Sequence, residues 1–132
     1  MNPAYSPQHP DADPRSLHER QVLHVRLVSE LIAWAETQGY DLTWGETWRT
    51  QAQAQANAAS GAGIANSLHL SRLAVDFNAF DKAGNWLQGE AAAVVFKAMA
   101  DYWLTLDPLC CAGYYFHSAD LPHFSVSYRG VM

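Results

Sequence analysis

The apolar positions of this chain change period as it runs, and each change marks an element. From Ser16 onward they recur in steps of three and four, the repeat of a helix with one buried face. Leu17, Val25, Val28, Ile32 and Ala35 share that stripe, and His18 and His24 are expected on or near the solvent side. Ser16 followed by Glu19 has the form of a capping box, and Gly39 is the expected stop. Tyr40 to Trp48 alternates and is rich in aromatics, which predicts a strand. The Ala- and Gln-rich stretch after it predicts a helix from Thr50 to about Ala59, closed by a Gly61-Ala62-Gly63 loop.

Period two returns at Leu73, Val75 and Phe77, which alternate with Ala74, Asp76 and Asn78. A strand there puts Asp76 on the face opposite the apolar side chains. Asp81 to Asn85 reads as a turn, and Gln88 to Leu106 as a second long helix with Val94, Val95, Ala98, Tyr102 and Leu106 on its buried stripe. Asp107-Pro108 ends it. Tyr114–Phe116 and His123–Ser127 are the last two expected strands. Helices and antiparallel-looking strands without a βαβ rhythm predict an α+β domain, a small antiparallel sheet with flanking helices. That domain is expected over residues 17–132, preceded by an arm over residues 1–16 in which Pro3, Pro7, Pro10 and Pro14 deny regular hydrogen bonding.

Composition narrows the classes. The chain has 132 residues, 49% hydrophobic and 16% charged, which is enough for one packed core and excludes a disordered chain. A net charge of −5 argues against nucleic acid as a partner. No apolar run approaches the ~20 residues of a membrane-spanning helix, so no membrane insertion is expected. The two cysteines, Cys110 and Cys111, are adjacent and read as buried thiols packing as small hydrophobes, which suits a reducing compartment.

The titratable residues on apolar segments change the picture more. SLHLSRLAVD carries His69 and, seven positions on, Asp76; DLPHF carries Asp120 and, three on, His123. Singly, each has a plainer reading: a hydrogen-bonded core histidine, an aspartate capping a turn, an Asp-Leu-Pro turn. Jointly, two imidazoles and a carboxylate suit Zn²⁺, since a catalytic zinc takes three protein ligands and keeps a fourth position open. Asp120 could then act as general base toward water and return the proton to a leaving amine.

The order S-x-H, A-x-D and D-x-x-H, with the RLAVDF run, resembles the D-Ala-D-Ala carboxypeptidase/VanY-type zinc peptidases, and within them the phage L-alanyl-D-glutamate endopeptidase endolysins. The resemblance covers the chain from about residue 20 onward. It implies the zinc-bearing α+β fold shared with the hedgehog signalling domain, zinc held by His69, Asp76 and His123, and Asp120 as catalytic base. It also implies that Arg49 binds substrate and stabilises charge on the attacked carbonyl, and that Ser67 is a hydroxyl behind the ligands or beside the substrate. The implied substrate is the peptidoglycan stem peptide, cut between L-Ala and D-Glu by a monomer. The polar opening stretch lacks an apolar secretory core, so such an enzyme would be made in the host cytoplasm and reach the wall after holin-mediated release. Two alternatives share the pattern: a D-Ala-D-Ala carboxypeptidase or dipeptidase, and a non-catalytic binding module of hedgehog type. Arg72 stands where the family often has Gly, and Ser125 where an acidic residue often follows the His-Phe pair. A left-handed backbone at Arg72 would therefore be absent or strained. His117 is expected on a loop or pocket rim rather than as a ligand.

Overall fold

The Ser16 hydroxyl accepts the Glu19 N–H while the Glu19 carboxylate accepts the Ser16 N–H, and this reciprocal cap opens α1 (Leu17–Thr37). A computed structural model describes residues 13–60 and 67–132 of the chain. After α1 come β1 (Asp41–Trp44), α2 (Gln51–Ser60), β2 (Ala74–Phe80), α3 (Gly89–Leu104), β3 (Cys110–Ala112) and β4 (His123–Val126). The four strands form one antiparallel sheet in the order β1-β2-β4-β3. The architecture is the α+β arrangement expected from the pattern. The Gly61-Ala62-Gly63 loop and residues 1–12 of the expected arm lie outside the described residues.

The core packs α1 and α3 against the sheet, with Leu31, Leu73, Met99, Trp103, Leu109 and Phe124 essentially without exposure. Trp103 sits at its centre, and its indole N–H donates to Cys111 O at 3.0 Å and Ser125 O at 3.2 Å. Cys110 and Cys111 are buried free thiols, as expected. Burial pushes both thiols up, Cys111 to about 12, so neither is a nucleophile at neutral pH.

Several expectations are corrected. The buried face of α1 is Leu23, Leu27, Val28, Leu31 and Ala35, while Val25 is 70% exposed. Steps of three and four fit either of two overlapping stripes, and packing against α3 and β4 selects the one centred on Leu27. That face also buries His24, which was expected near solvent; its Nε2 lies 3.2 Å from Phe124 O and its ring meets Trp103 edge-on. In α3 the buried residues are Ala92, Val95, Phe96, Met99, Ala100 and Trp103, and Val94 points outward. Tyr114–Phe116 is not a strand. The strand comes earlier, at Cys110–Ala112, and Gly113–Tyr115 forms a 3-10 turn. The cause is at Gly113, where a Cβ would stand 1.9 Å from Asp120 O, so the chain leaves the sheet there to let the segment before β4 pass.

At its beginning the domain is tied down by charge. Arg15 makes paired hydrogen bonds of 2.8 Å to both oxygens of Asp107, and Arg20, buried, donates to Ser127 O at 2.7 Å. Among the described residues no helix is long and apolar enough to cross a membrane.

Candidate metal centre

β2 contributes the carboxylate. Val75 and Phe77 turn into the core and Asp76 faces the other side, as the alternation requires. β4 pairs antiparallel with β2 so that His123 lies directly opposite Asp76. His69 arrives from the tight turn that precedes β2: Leu70 N–H donates to Ser67 O at 3.0 Å, Arg72 N–H to His69 O at 3.3 Å and Leu73 N–H to Leu68 O at 2.9 Å. This turn needs left-handed backbone at Arg72, whose φ is 58°, so the strained of the two expected alternatives holds. Its guanidinium lies 5.0 Å from the centre of the Trp48 ring, a cation–π contact that helps hold the side chain. Ser67 is buried and its hydroxyl accepts the His69 N–H at 3.2 Å, so in this structure it braces the turn that carries His69.

The three side chains converge. Each of His69, Asp76 and His123 offers a ligand atom within 4.8 Å of the other two. His69 Nε2 is 3.5 Å and His123 Nδ1 3.7 Å from the same oxygen, Asp76 Oδ1. Both imidazoles are nearly fully buried, at 3% and 5% exposure. Burial holds His123 down at about 4, so at neutral pH its ring is uncharged and carries a free lone pair.

Asp76 Oδ1 is buried without a hydrogen-bond partner. A buried carboxylate oxygen left unpaired is costly, and the uncharged His123 imidazole directed at it does not act as a cation. A divalent cation among the three resolves all of this at once. Two nitrogens and one carboxylate are a set suited to zinc, and the residues present fit such an ion.

Asp120 stands at the rim. It opens a turn in which the His123 N–H donates to Asp120 O at 3.1 Å, and its own N–H is held by Gly113 O at 2.8 Å. Its carboxylate is 53% exposed, with Oδ2 3.8 Å from His123 Nδ1. Its pKa is raised, chiefly by partial loss of water and also by the like charge of Asp76. The structure thus brings Asp120 beside the cluster without making it one of the three. His117 is exposed and stands outside the cluster.

Arg49 approaches from the segment before α2, its N–H donating to His69 O at 3.3 Å. Its side chain is 11% exposed and its guanidinium binds Glu46, with Nε 2.6 Å and Nη2 2.5 Å from Oε1. The sequence reading did not single out Glu46. The only local signal was an acidic residue three positions before the arginine. A groove of about 680 Å³ opens elsewhere, between α1 and the Trp44–Trp48 segment, and none of the three ligand candidates lines it.

Comparison with solved structures finds the same fold in the crystal structure of the Serratia marcescens L-Ala D-Glu endopeptidase ChiX. The match is 23% identical, covers 83% of this chain and 88% of that chain, and has a TM-score of 0.58. No protein-family model matches the chain, and no curated protein matches it. At this identity the likeness establishes the fold alone, the α+β architecture described above.

Proposed function

We propose that this chain is a zinc-dependent peptidoglycan peptidase that hydrolyses an amide bond of the stem peptide, between L-Ala and D-Glu. The observation that carries the reading is the buried His69–Asp76–His123 cluster around an unpartnered carboxylate oxygen, with Asp120 at its rim. The shared fold with an L-Ala D-Glu endopeptidase supports the choice of bond. His69, Asp76 and His123 would hold the ion, their single negative charge leaving it net positive. Zinc bound there supplies Lewis acidity toward the scissile carbonyl and toward water.

The rest falls to this chain's own groups. Asp120, with its raised pKa and open position, accepts the proton of the attacking water and returns it to the leaving amine. Arg49 offers a fixed cation either to the carboxylate of the stem peptide or to the oxygen that gains charge during attack. The protein acts as a monomer. Its biological setting in this reading is phage lysis, with synthesis in the host cytoplasm and delivery to the wall through a holin.

Digestion of purified peptidoglycan followed by mass analysis of the products tests the reading. The expected result is stem peptides with a new D-Glu amino terminus and L-Ala left on the glycan. Free D-Ala as the sole product would instead make the chain a carboxypeptidase. Intact peptidoglycan after incubation with the zinc-loaded protein would leave a binding module.

A further inference from the structure

Glu46 stands between two residues that the reaction needs. Its Oε1 is 2.6 Å from Arg49 Nε, 2.5 Å from Arg49 Nη2 and 3.6 Å from His69 Nδ1. His69 Nδ1 is buried and makes no hydrogen bond. The other ring nitrogen, Nε2, faces Asp76 Oδ1 at 3.5 Å. A neutral imidazole has one N–H and one lone pair, so a ring that ligates through Nε2 carries its proton on Nδ1. That buried N–H needs an acceptor, and Glu46 Oε1, at 3.6 Å, stands about 0.4 Å beyond the usual hydrogen-bonding range, within reach of a small side-chain rotation.

The backbone makes this arrangement more than a chance rotamer. Gly45 N–H donates to Asp76 O at 2.8 Å, and Asp76 N–H donates to Glu46 O at 2.7 Å. Gly45 packs so close to β2 that a Cβ there would meet Asp76 O at 3.0 Å and Asp76 Cβ at 3.1 Å. Glu46 is thereby fixed relative to Asp76 itself. The contacts with Glu46 also engage only the Nε and Nη2 edge of Arg49, which leaves the Nη1 end to meet another group.

We propose that Glu46 is a positioning residue, a single carboxylate oxygen that fixes the Nδ1–H form of His69 and aims Arg49. The inference rests on the zinc-peptidase reading above. A carboxylate behind a ligating histidine sets ring orientation and raises ligand basicity, and its removal costs metal affinity roughly 10–100-fold. The same oxygen restrains a long, rotamer-rich side chain, so Arg49 meets its anionic partner already oriented.

The test compares wild type, Glu46→Gln, Glu46→Ala, His69→Ala, Arg49→Ala and the Glu46→Ala/Arg49→Ala pair. Zinc affinity is measured by chelator competition and turnover at saturating zinc, with circular dichroism to verify folding. Glu46→Ala should weaken zinc binding roughly 10–100-fold. Glu46→Gln, which keeps a neutral acceptor of the same shape, should fall between it and wild type and carries the test if Ala does not fold. Arg49→Ala should leave affinity unchanged. At saturating zinc the double variant should turn over no more slowly than Arg49→Ala alone, because the second role of Glu46 is exerted through Arg49. Unchanged affinity in both Glu46 variants, or fully additive rate losses in the pair, would overturn the inference. So would a Glu46→Ala protein that loses zinc as completely as His69→Ala, since Glu46 would then be a ligand. Failure of the underlying reading shows separately, as wild type that takes up no zinc.

Discussion

Asp76 and His123 face one another across the β2–β4 ladder, with Asp76 Oδ1 3.7 Å from His123 Nδ1. One antiparallel register therefore supplies two of the three candidate ligands, on a face whose alternate residues close the core. Slipping β4 by one residue would turn His123 into the core and Phe124 toward the carboxylate, so burial of Phe124 and placement of His123 enforce each other.

Metal content is the first consequence. Protein purified without added zinc should carry one equivalent of the ion and lose activity in chelator. His69→Ala and His123→Ala should each lower zinc content sharply, whereas His117→Ala, exposed and outside the cluster, should leave it nearly unchanged. Metal analysis of the four preparations decides it. Equal zinc in all four would place the ion elsewhere.

How much of this was legible in the sequence depends on whether the signal was local. The Ser16–Glu19 cap and the outward face of Asp76 follow from neighbours within a few residues, and both appear in the structure. His24 was misplaced because a stripe of steps three and four can be read along two faces, and only the partner, here Trp103 and the Phe124 carbonyl, chooses. β3 was missed because Cys110–Ala112 is too short to show a period, and because the turn after it is imposed by Asp120 pressing on Gly113. The candidate site was legible as residue types at suggestive spacings. Glu46 was not, because it meets His69 only through the pairing of the Gly45–Glu46 backbone with Asp76.

Burial of His24 has a thermodynamic signature. Loss of water holds its imidazole down at about 4, against 6.5 unperturbed. Between those values the unfolded chain binds a proton that the native state refuses, so stability falls as pH drops from about 6.5 to about 4 and is flat in this respect above. The full span corresponds to about 3 kcal/mol at 1.36 kcal/mol per pH unit. His24→Gln, whose amide can still reach Phe124 O, removes this titration and leaves a pH-independent offset. Denaturant unfolding of metal-free wild type and His24→Gln from pH 7 to 4.5 should show the stability advantage of wild type over the variant decreasing as pH falls. A pH-independent difference would show that His24 is protonated within the native fold.

Asp120 separates metal binding from proton transfer. Its carboxylate is half exposed and lies outside the three-residue cluster, so Asp120→Asn should keep both fold and zinc. It should still lose the contribution of a positioned base, on the order of 10²–10⁴-fold in rate. Zinc content and turnover measured on one preparation make the distinction. Full zinc with near-normal turnover excludes Asp120 as the base, and lost zinc makes it a ligand.

Gly113→Ala should do what Asp120→Asn does not. A Cβ at this position would stand 1.9 Å from Asp120 O, 2.9 Å from the Asp120 carbonyl carbon and 2.8 Å from His123 Cβ. The first two are backbone atoms, so no flexible side chain can give way. The fixed hydrogen bond from Asp120 N–H to Gly113 O, 2.8 Å long, would have to open as the two segments separate. Since Asp120 and His123 ride on the same turn, both the proposed base and a proposed ligand should move together. The expected cost is that of overpacking, typically 1–3 kcal/mol of stability. It should be accompanied by reduced zinc affinity as well as reduced rate. Thermal unfolding and chelator competition on the same variant test this. Native zinc affinity with an unchanged melting temperature would mean that the turn carrying Asp120 and His123 is not braced against Gly113.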